Sequence, residues 1–249
     1  MLSLPATHAK VVAMIEECCP RLAGNYLDIG CGDGRLAKEI LTRFPLEAFG
    51  CDRSPEPLEG MKVTRVDLNR EPLPYPSGFF SLVTCTEVLE HLENYRGVVR
   101  EVYRVLVPGG LALFSTPNVL NLRSRLRFLF FGFWNLFGPL PFSDELPPDT
   151  DGHISPVPCF YLSHALFQAG FRNIRIAVDR WQKGSLGWFF LLCVPIGVAS
   201  RLALWRERSR YKTVSAENLP FVQEHNSPAL LLGRTLVVAA QKPENPPAS

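Results

Sequence analysis

No two of the seven cysteines form a C-x-x-C pair, and none stands at finger-like spacing from a histidine. This excludes a zinc ribbon or finger and gives no disulfide framework of the kind that staples small secreted folds. Cys18, Cys19, Cys31, Cys51, Cys85, Cys159 and Cys193 sit in apolar surroundings and read as small core residues in a reducing compartment. Charge of one sign is equally scarce. With 26 Lys+Arg against 24 Asp+Glu the formal net charge is +2, so the whole-chain field offers nothing to nucleic acid and no nucleic-acid partner is expected. The first twenty residues lack a basic start, an apolar run and a small-residue cleavage site, so no secretory signal is expected and the predicted location is cytoplasmic. Repeats are absent as well, and no tract is low-complexity beyond the short Pro-rich tail from Pro243.

What is present is a chain of 249 residues, enough for one full α/β core, and residues 1–249 are read as a single domain carrying insertions. Short apolar runs at 25–29, 48–51, 62–66, 80–85 and 110–115 alternate with amphipathic patterns, among them 35–43 and 95–106. That alternation predicts a parallel sheet with helices on both faces. The helix over 95–106 is expected to end at Pro108-Gly109-Gly110, ahead of a strand LALFS. Further on, HALFQAG predicts a helix closed by Gly170, and FRNIRIAV and GRTLVVAAQKP predict two more strands.

The stretch LDIGCGDGRL, residues 27–36, ends an apolar run in Asp28 and then places Gly30, Gly32 and Gly34 at alternate positions. Such a strand-to-helix turn lets a ligand lie against bare backbone. A dinucleotide fingerprint would want a third glycine at 35, where Arg35 stands, and Asp28 and Asp33 would repel a diphosphate. The acids suit a cationic ligand. Asp52, at the end of AFGCD, is placed to accept both hydroxyls of a ribose; a cap for the SPEPLEG turn is its competing role.

These segments resemble the class I S-adenosylmethionine-dependent methyltransferases, in particular the small-molecule group called type 11 or 12, over roughly residues 20–178. The resemblance implies a Rossmann-like, seven-stranded, mostly parallel sheet with an antiparallel last strand. It implies that Asp28, Gly30, Gly32 and Gly34 hold the methionine part of S-adenosylmethionine, that Asp52 holds the ribose, and that Asp67 in RVDLN contacts the adenine amine with Leu68 beside the ring. Ser81 departs from the aspartate usual in the family.

CTEVLEHL leaves the fourth strand toward the cofactor's methyl. With a helix starting at Thr86, residues Glu87, Glu90 and His91 fall at i, i+3 and i+4 on one face, and DGHISP adds His153. Two carboxylates and two imidazoles can hold a divalent metal that activates a hydroxyl. The E-x-x-E-H segment with a later histidine looks like the metal site of small-RNA 2′-O-methyltransferases, and quinone-pathway O-methyltransferases carry a similar segment. The implied ligands are Glu87, Glu90, His91 and His153. Packing and capping of the helix is the competing role, and without a metal His91 or His153 would serve as general base.

Two apolar insertions complete the chain: 119–152 after strand five and 179–229 before the last strand. Both are expected to emerge beside the glycine turn as hydrophobic lids roofing the acceptor site. Phe128, Phe130, Phe131, Phe133, Trp134, Phe137, Trp188, Phe189 and Phe190, bordered by Arg123, Arg125 and Arg127, suit an amphiphilic acceptor or peripheral membrane contact through 123–142 and 184–205 at the inner membrane face; mutual packing as a closed lid is the alternative. Pro195 inside the uncharged run 184–200 predicts a segment short of a membrane span, either interfacial or buried. The expected activity is O-methylation of a hydrophobic or lipid-linked acceptor, a glycan intermediate or quinone precursor. A soluble metabolite, an RNA 2′-hydroxyl, and a non-catalytic cofactor-binding or membrane-scaffold role stand as alternatives.

Overall fold

The computed structural model describes residues 5–140 and 152–245. Residues 141–151 of the first insertion, including 141–142 of the predicted membrane segment, lie outside the described residues. One seven-stranded sheet runs through the molecule, built from β1 (Gly24–Ile29), β2 (Leu46–Asp52), β3 (Met61–Arg65), β4 (Phe80–Thr86), β5 (Leu106–Pro117), β6 (Arg172–Val178) and β7 (Thr235–Gln241). Their order is β3-β2-β1-β4-β5-β7-β6. β1 to β5 pair in parallel, and β7 runs antiparallel to both of its neighbours. This is the Rossmann-like architecture with a reversed last strand.

The strands explain the two-sided core. β4, with only Ser81 part-exposed, is buried on both faces, as a central parallel strand must be. Along β1 the pleat sends Leu27 and Ile29 to one face and Tyr26 and Asp28 to the other. The first face is covered by α3 (Tyr95–Val105) and α5 (Cys159–Ala169), and the second by α1 (Pro5–Cys18) and α2 (Arg35–Leu41). α3 buries Val98, Val99, Val102 and Val105, a helical stripe, and Asn94 caps it by accepting from the Gly97 amide at 2.9 Å. Each buried valine contributes roughly 1.5–3 kcal/mol against exposure. Gly170, at φ 106, closes α5 in the left-handed conformation.

Pro108-Gly109-Gly110 behaves differently from expectation. The helix ends at Val105, and the three residues lie inside β5 as an irregularity: Phe80 pairs with Leu106, but Leu82 pairs with Leu111. The loop is held by β7's continuation, with the Gly109 amide donating to Lys242 O and the Lys242 amide to Gly110 O, each at 2.9 Å. Proline needs no ladder hydrogen bond at such a bulge.

The insertions contain α4 (Leu122–Phe131) and then α6 (Lys183–Arg206), α7 (Leu219–Glu224) and α8 (Pro228–Leu232). α6 corrects the expectation built on Pro195. It runs 24 residues straight through the proline and continues into a wider turn over Glu207–Tyr211, making one helix long and apolar enough to cross a membrane. Nor is it buried, because Ser185 is its one buried residue.

Candidate active site

The site forms where β1, β2 and β4 end. β1 leads into the glycine turn, with Gly30, Gly32 and Gly34 all left-handed at φ 69, 49 and 72. At Gly30 the requirement is double: besides the backbone sign, a Cβ would lie 2.3 Å from Val88 Cγ2. Asp52 at the end of β2 accepts from the Gly32 amide (3.2 Å) and the Ser54 amide (3.1 Å). Its competing role therefore holds in part, since the second bond closes a local turn, while the first ties the carboxylate to the glycine turn. Asp67 accepts from the Asn69 amide at 3.0 Å and lies 3.6 Å from Arg70, which is exposed.

Gly30, Gly32, Asp52, Asp67 and Leu68 line one side of a cleft of about 460 Å³, faced by Glu87, Val88, His91, Leu92, Gly152 and Ile154. Asp28 opens instead on a smaller adjoining recess shared with His8, Asp33, Arg35 and Glu87. It is 3% exposed, and Thr84 Oγ1 donates to it at 2.6 Å while contacting the Tyr26 hydroxyl at 2.7 Å. Burial pushes its carboxyl up to about 7; the Thr84 and Tyr26 contacts oppose this, and Asp52 adds to it. An acid held at such cost beside a cleft favours a ligand that brings positive charge. With Asp52, Asp67 and Glu87 against Arg53 in the cleft lining, the donor set fits S-adenosylmethionine and opposes a pyrophosphate. Ser81 lies at the other end of β4, with its Oγ 2.5 Å from where a Gly24 Cβ would stand, so its departure from the family pattern does not reach the cleft.

Beyond β4 the expected helix does not start at Thr86. Glu87 is left-handed at φ 56, its amide bonds Ser115 O and Oγ at 3.1 Å each, and Ser115 Oγ donates to its carboxylate at 3.1 Å. Only a single 3₁₀ turn, Leu89–His91, follows. Glu87, Glu90 and His91 therefore do not share a helical face. Ligand atoms of Glu90, His91 and His153 instead lie within 4.8 Å of one another, and Glu87 stands outside that group. His153 is brought in because the Ile154 and Ser155 amides donate to Glu90 O at 2.9 and 3.0 Å. The His91 and His153 rings meet edge to face at 4.9 Å. Glu90 is fully buried, and neither carboxylate oxygen has a hydrogen-bond partner among the described residues. Burial and the neighbouring Glu87 push its carboxyl well above the usual range. Burial and His91 lower the His153 imidazole to about 4, so it is neutral near pH 7.

The lids differ from expectation too. The cleft lining includes no residue of α6 among the described residues. Trp188 and Phe190 are exposed, so neither a roof nor a closed lid describes them. Arg125 is no headgroup-facing rim residue: its guanidinium donates to Leu120 O, His225 O and Asn226 Oδ1, which locks the two insertions together. Arg127 turns back to the carbonyls of Phe133 and Trp134, whereas Arg123 is exposed. Phe137 is buried, with its ring 5.2 Å from that of His153. The sequence reading missed Thr84 and Ser115. Thr84 pairs directly with Asp28 across β1 and β4, so a buried hydroxyl opposite a buried acid was the available signal.

Residues 8–176 match the family model described as a methyltransferase domain. The ubiquinone biosynthesis O-methyltransferase of Proteus mirabilis is 36% identical over 116 residues, 42% of this chain and 46% of that protein. The protein of the same name in Albidiferax ferrireducens is 31% identical over 115 residues, 42% and 45% of the two chains. The chain thus spans about half the length of the curated relatives it matches. Among solved structures, a SAM-dependent methyltransferase from Archaeoglobus fulgidus superposes with a TM-score of 0.57 at 18% identity, covering 94% of both chains. Phosphoethanolamine N-methyltransferase 2 of Haemonchus contortus, in complex with S-adenosyl-L-methionine, gives 0.52 at 16% identity, covering 94% of this chain and 52% of that one. The chain belongs to the methyltransferase-domain family, in its class I, S-adenosylmethionine-dependent form.

Proposed function

We propose that the protein transfers a methyl group from S-adenosylmethionine to an oxygen of a hydrophobic acceptor, a quinone precursor or a lipid-linked glycan intermediate. The observation that carries this reading is the cleft itself, lined by a bare acidic turn and by His91, behind which Glu90 and His153 cluster. The O-methyltransferase names of the curated relatives support the oxygen, and Val88, Leu92 and Ile154 give the cleft an apolar wall.

When bound, the cofactor supplies a methyl on a sulfonium, and transfer is an in-line displacement whose rate depends on alignment and exclusion of water. Asp52 accepts the ribose hydroxyls, Asp67 the adenine amine with Leu68 against the ring, and Gly30 and Gly32 let the ligand lie against the chain. Asp28, in the adjoining recess, would supply the negative charge that such a cation favours. His91 lines the cleft, where a neutral imidazole can take the hydroxyl proton, and His153 packs edge to face against it.

A second reading has its own observation. Glu90 is buried without a partner among the described residues, beside two imidazoles, and one carboxylate with two imidazoles suits a divalent transition metal. Glu90, His91 and His153 would hold the ion, whose chemistry would be to make an acceptor hydroxyl more acidic. Mn²⁺ binding followed by electron paramagnetic resonance tests this without turnover: His153→Ala should abolish it, and a wild-type protein that leaves all Mn²⁺ free rejects the metal.

The acceptor is tested by tritiated-methyl transfer to membrane-lipid, soluble-metabolite and RNA fractions. Label in the lipid fraction is expected. Label confined to soluble metabolites or RNA refutes the hydrophobic acceptor, and cofactor binding with no transfer to any fraction refutes the activity.

A further inference from the structure

α6 is apolar on every side apart from Arg201 between its two ends, yet half of it is uncovered. Its inward side, Leu186, Phe189, Leu192, Ile196, Ser200 and Leu204, is part-covered at helical spacing. The opposite side carries Phe190, Leu191, Val194, Val198, Leu202 and Trp205, exposed by 52–77%. A helix hydrophobic on every side belongs inside protein or lipid, and the cost of leaving such a stripe in water marks it as an interaction surface. α4 packs beside α6 and adds Leu129, Phe130 and Phe131, exposed by 72, 82 and 58%.

Charge identifies the occupant. Between residues 180 and 212 the chain has seven Lys or Arg and one acid, Glu207, although its overall net charge is only +2. Six of the seven cluster at the ends of the apolar stretch: Arg180 and Lys183 at one, Arg206, Arg208, Arg210 and Lys212 at the other. The seventh, Arg201, is exposed within α6 beside Gly197 O, and its long stem lets the guanidinium reach the headgroups while the methylenes lie along the apolar side. An apolar stripe with basic ends fits an anionic lipid bilayer.

Connectivity then decides how the helix meets the bilayer. At 1.5 Å per residue α6 is about 36 Å long, enough for a hydrocarbon core of about 30 Å. A single crossing would nevertheless leave β6 and β7 on opposite sides, and these strands pair from Arg172↔Gln241 to Val178↔Leu236. The approach to α6 is fastened to the entry of β7: the Arg234 amide donates to Arg180 O at 2.9 Å and the Gln182 amide to Leu232 O at 2.8 Å. Between α6 and β7, the six- and five-residue helices α7 and α8 are far too short for a return crossing.

We propose that α6, with α4 beside it, is a monotopic docking face that lies in the plane of an anionic bilayer, with its outer stripe sunk among the acyl chains and both of its ends on the same side. The loop after α4 carries Phe137 from this face to His153, so docking brings the acceptor wall of the cleft toward the lipid. The docking face does not depend on the acceptor reading. Vesicles without a methyl acceptor test it alone, and a docked protein that never methylates a lipid fraction would refute only the acceptor.

The experiment is co-sedimentation of the full chain with vesicles of phosphatidylcholine, with and without about a third phosphatidylglycerol. Wild type should sediment with the anionic vesicles, and added salt should release it. Arg206→Glu with Arg208→Glu and Arg210→Glu, or Phe190→Ser with Leu191→Ser, should each lower partitioning by roughly 100-fold. All five residues are exposed, and an unchanged S-adenosylhomocysteine affinity confirms that each variant is folded. On vesicles, cysteines placed at Lys183 and Lys212 should both react with a membrane-impermeant maleimide added outside, while one at Val194 should be protected, read peptide by peptide by mass spectrometry. Absence of sedimentation, or equal sedimentation of wild type and variants, overturns the docking face. Protection of one end of α6 overturns the in-plane geometry. A vesicle-free dimer that the Phe190→Ser, Leu191→Ser variant dissociates, without vesicle binding, assigns the face to a second copy and overturns the proposal.

Discussion

Asp28→Asn is the substitution whose consequences the structure works out furthest. The two side chains have the same shape, and an asparagine Oδ1 still accepts the Thr84 hydroxyl, so packing is preserved. The charge is what changes. Burial lifts the Asp28 carboxyl from 3.8 to about 7, which corresponds to at most about 4 kcal/mol of penalty on the ionised form in the ligand-free protein. Because the folded-state pKa is raised, the stability it lends is fully present below about pH 4 and is lost as pH rises through 7. The substitution should therefore leave the melting temperature unchanged near pH 4 and raise it at pH 8. Allowing half the ceiling for water in the neighbouring recess, about 2 kcal/mol, the rise should be roughly 4–8 °C. Cofactor binding has the opposite sign. A cationic ligand pulls the Asp28 pKa down and expels its proton, so affinity for S-adenosylmethionine should climb with pH to a plateau above 7. At pH 5.5 it should be about 30-fold weaker than on the plateau. Asp28→Asn should bind more weakly at pH 8 and show no such climb. Calorimetric titration at several pH values, paired with thermal melts, measures both. A variant that matches wild-type affinity at every pH would refute the argument that this acid is held at a cost in order to meet positive charge.

Two other positions give shorter predictions. Asp52→Ala removes the acceptor of the Gly32 and Ser54 amides together with the proposed ribose contact, and S-adenosylhomocysteine should bind about 10- to 100-fold more weakly by calorimetry; unchanged affinity would reject the ribose role. Gly30→Ala places a Cβ 2.3 Å from Val88 Cγ2 at φ 69. The left-handed backbone alone costs about 1–2 kcal/mol, so the melting temperature should fall and cofactor binding should weaken, and adding Val88→Ala should recover only part of the loss. Full recovery would show that space, and not backbone sign, is what the glycine supplies.

How far the site could be read from the sequence follows from the range of the interactions that build it. The glycine turn, Asp52, Asp67 and Leu68 were legible because each is set by its own strand end, and all but Asp28 and Gly34 fall together in one cleft, Gly34 turning toward Leu58 instead. Asp28 was identified, but its confinement under Thr84 depends on a partner 56 residues away. The predicted helix at Thr86 failed for a similar reason. Its periodicity was sound, but Ser115 on β5 captures the Glu87 amide and carboxylate, extending the β4–β5 edge by one residue and delaying the helical turn to Leu89. A tertiary hydrogen bond thus separates Glu87 from Glu90, two residues that a sequence pattern places on one face.

Pro195 shows the opposite error, in which a local rule was given too much weight. Proline removes one helical hydrogen bond and crowds the preceding turn, which justifies expecting a break. α6 nevertheless continues on both sides of it, so the loss falls within a long cooperative helix. The pattern that mattered was apolarity on all sides, and it alone could not separate a crossing helix from one lying flat. The sheet resolves the two: β7 is paired on both sides, between β5 and β6, and a strand there must return to the side its partners occupy. A helix between β6 and β7 is thereby excluded from crossing a bilayer, whatever its hydropathy, as long as the sheet stays closed around β7.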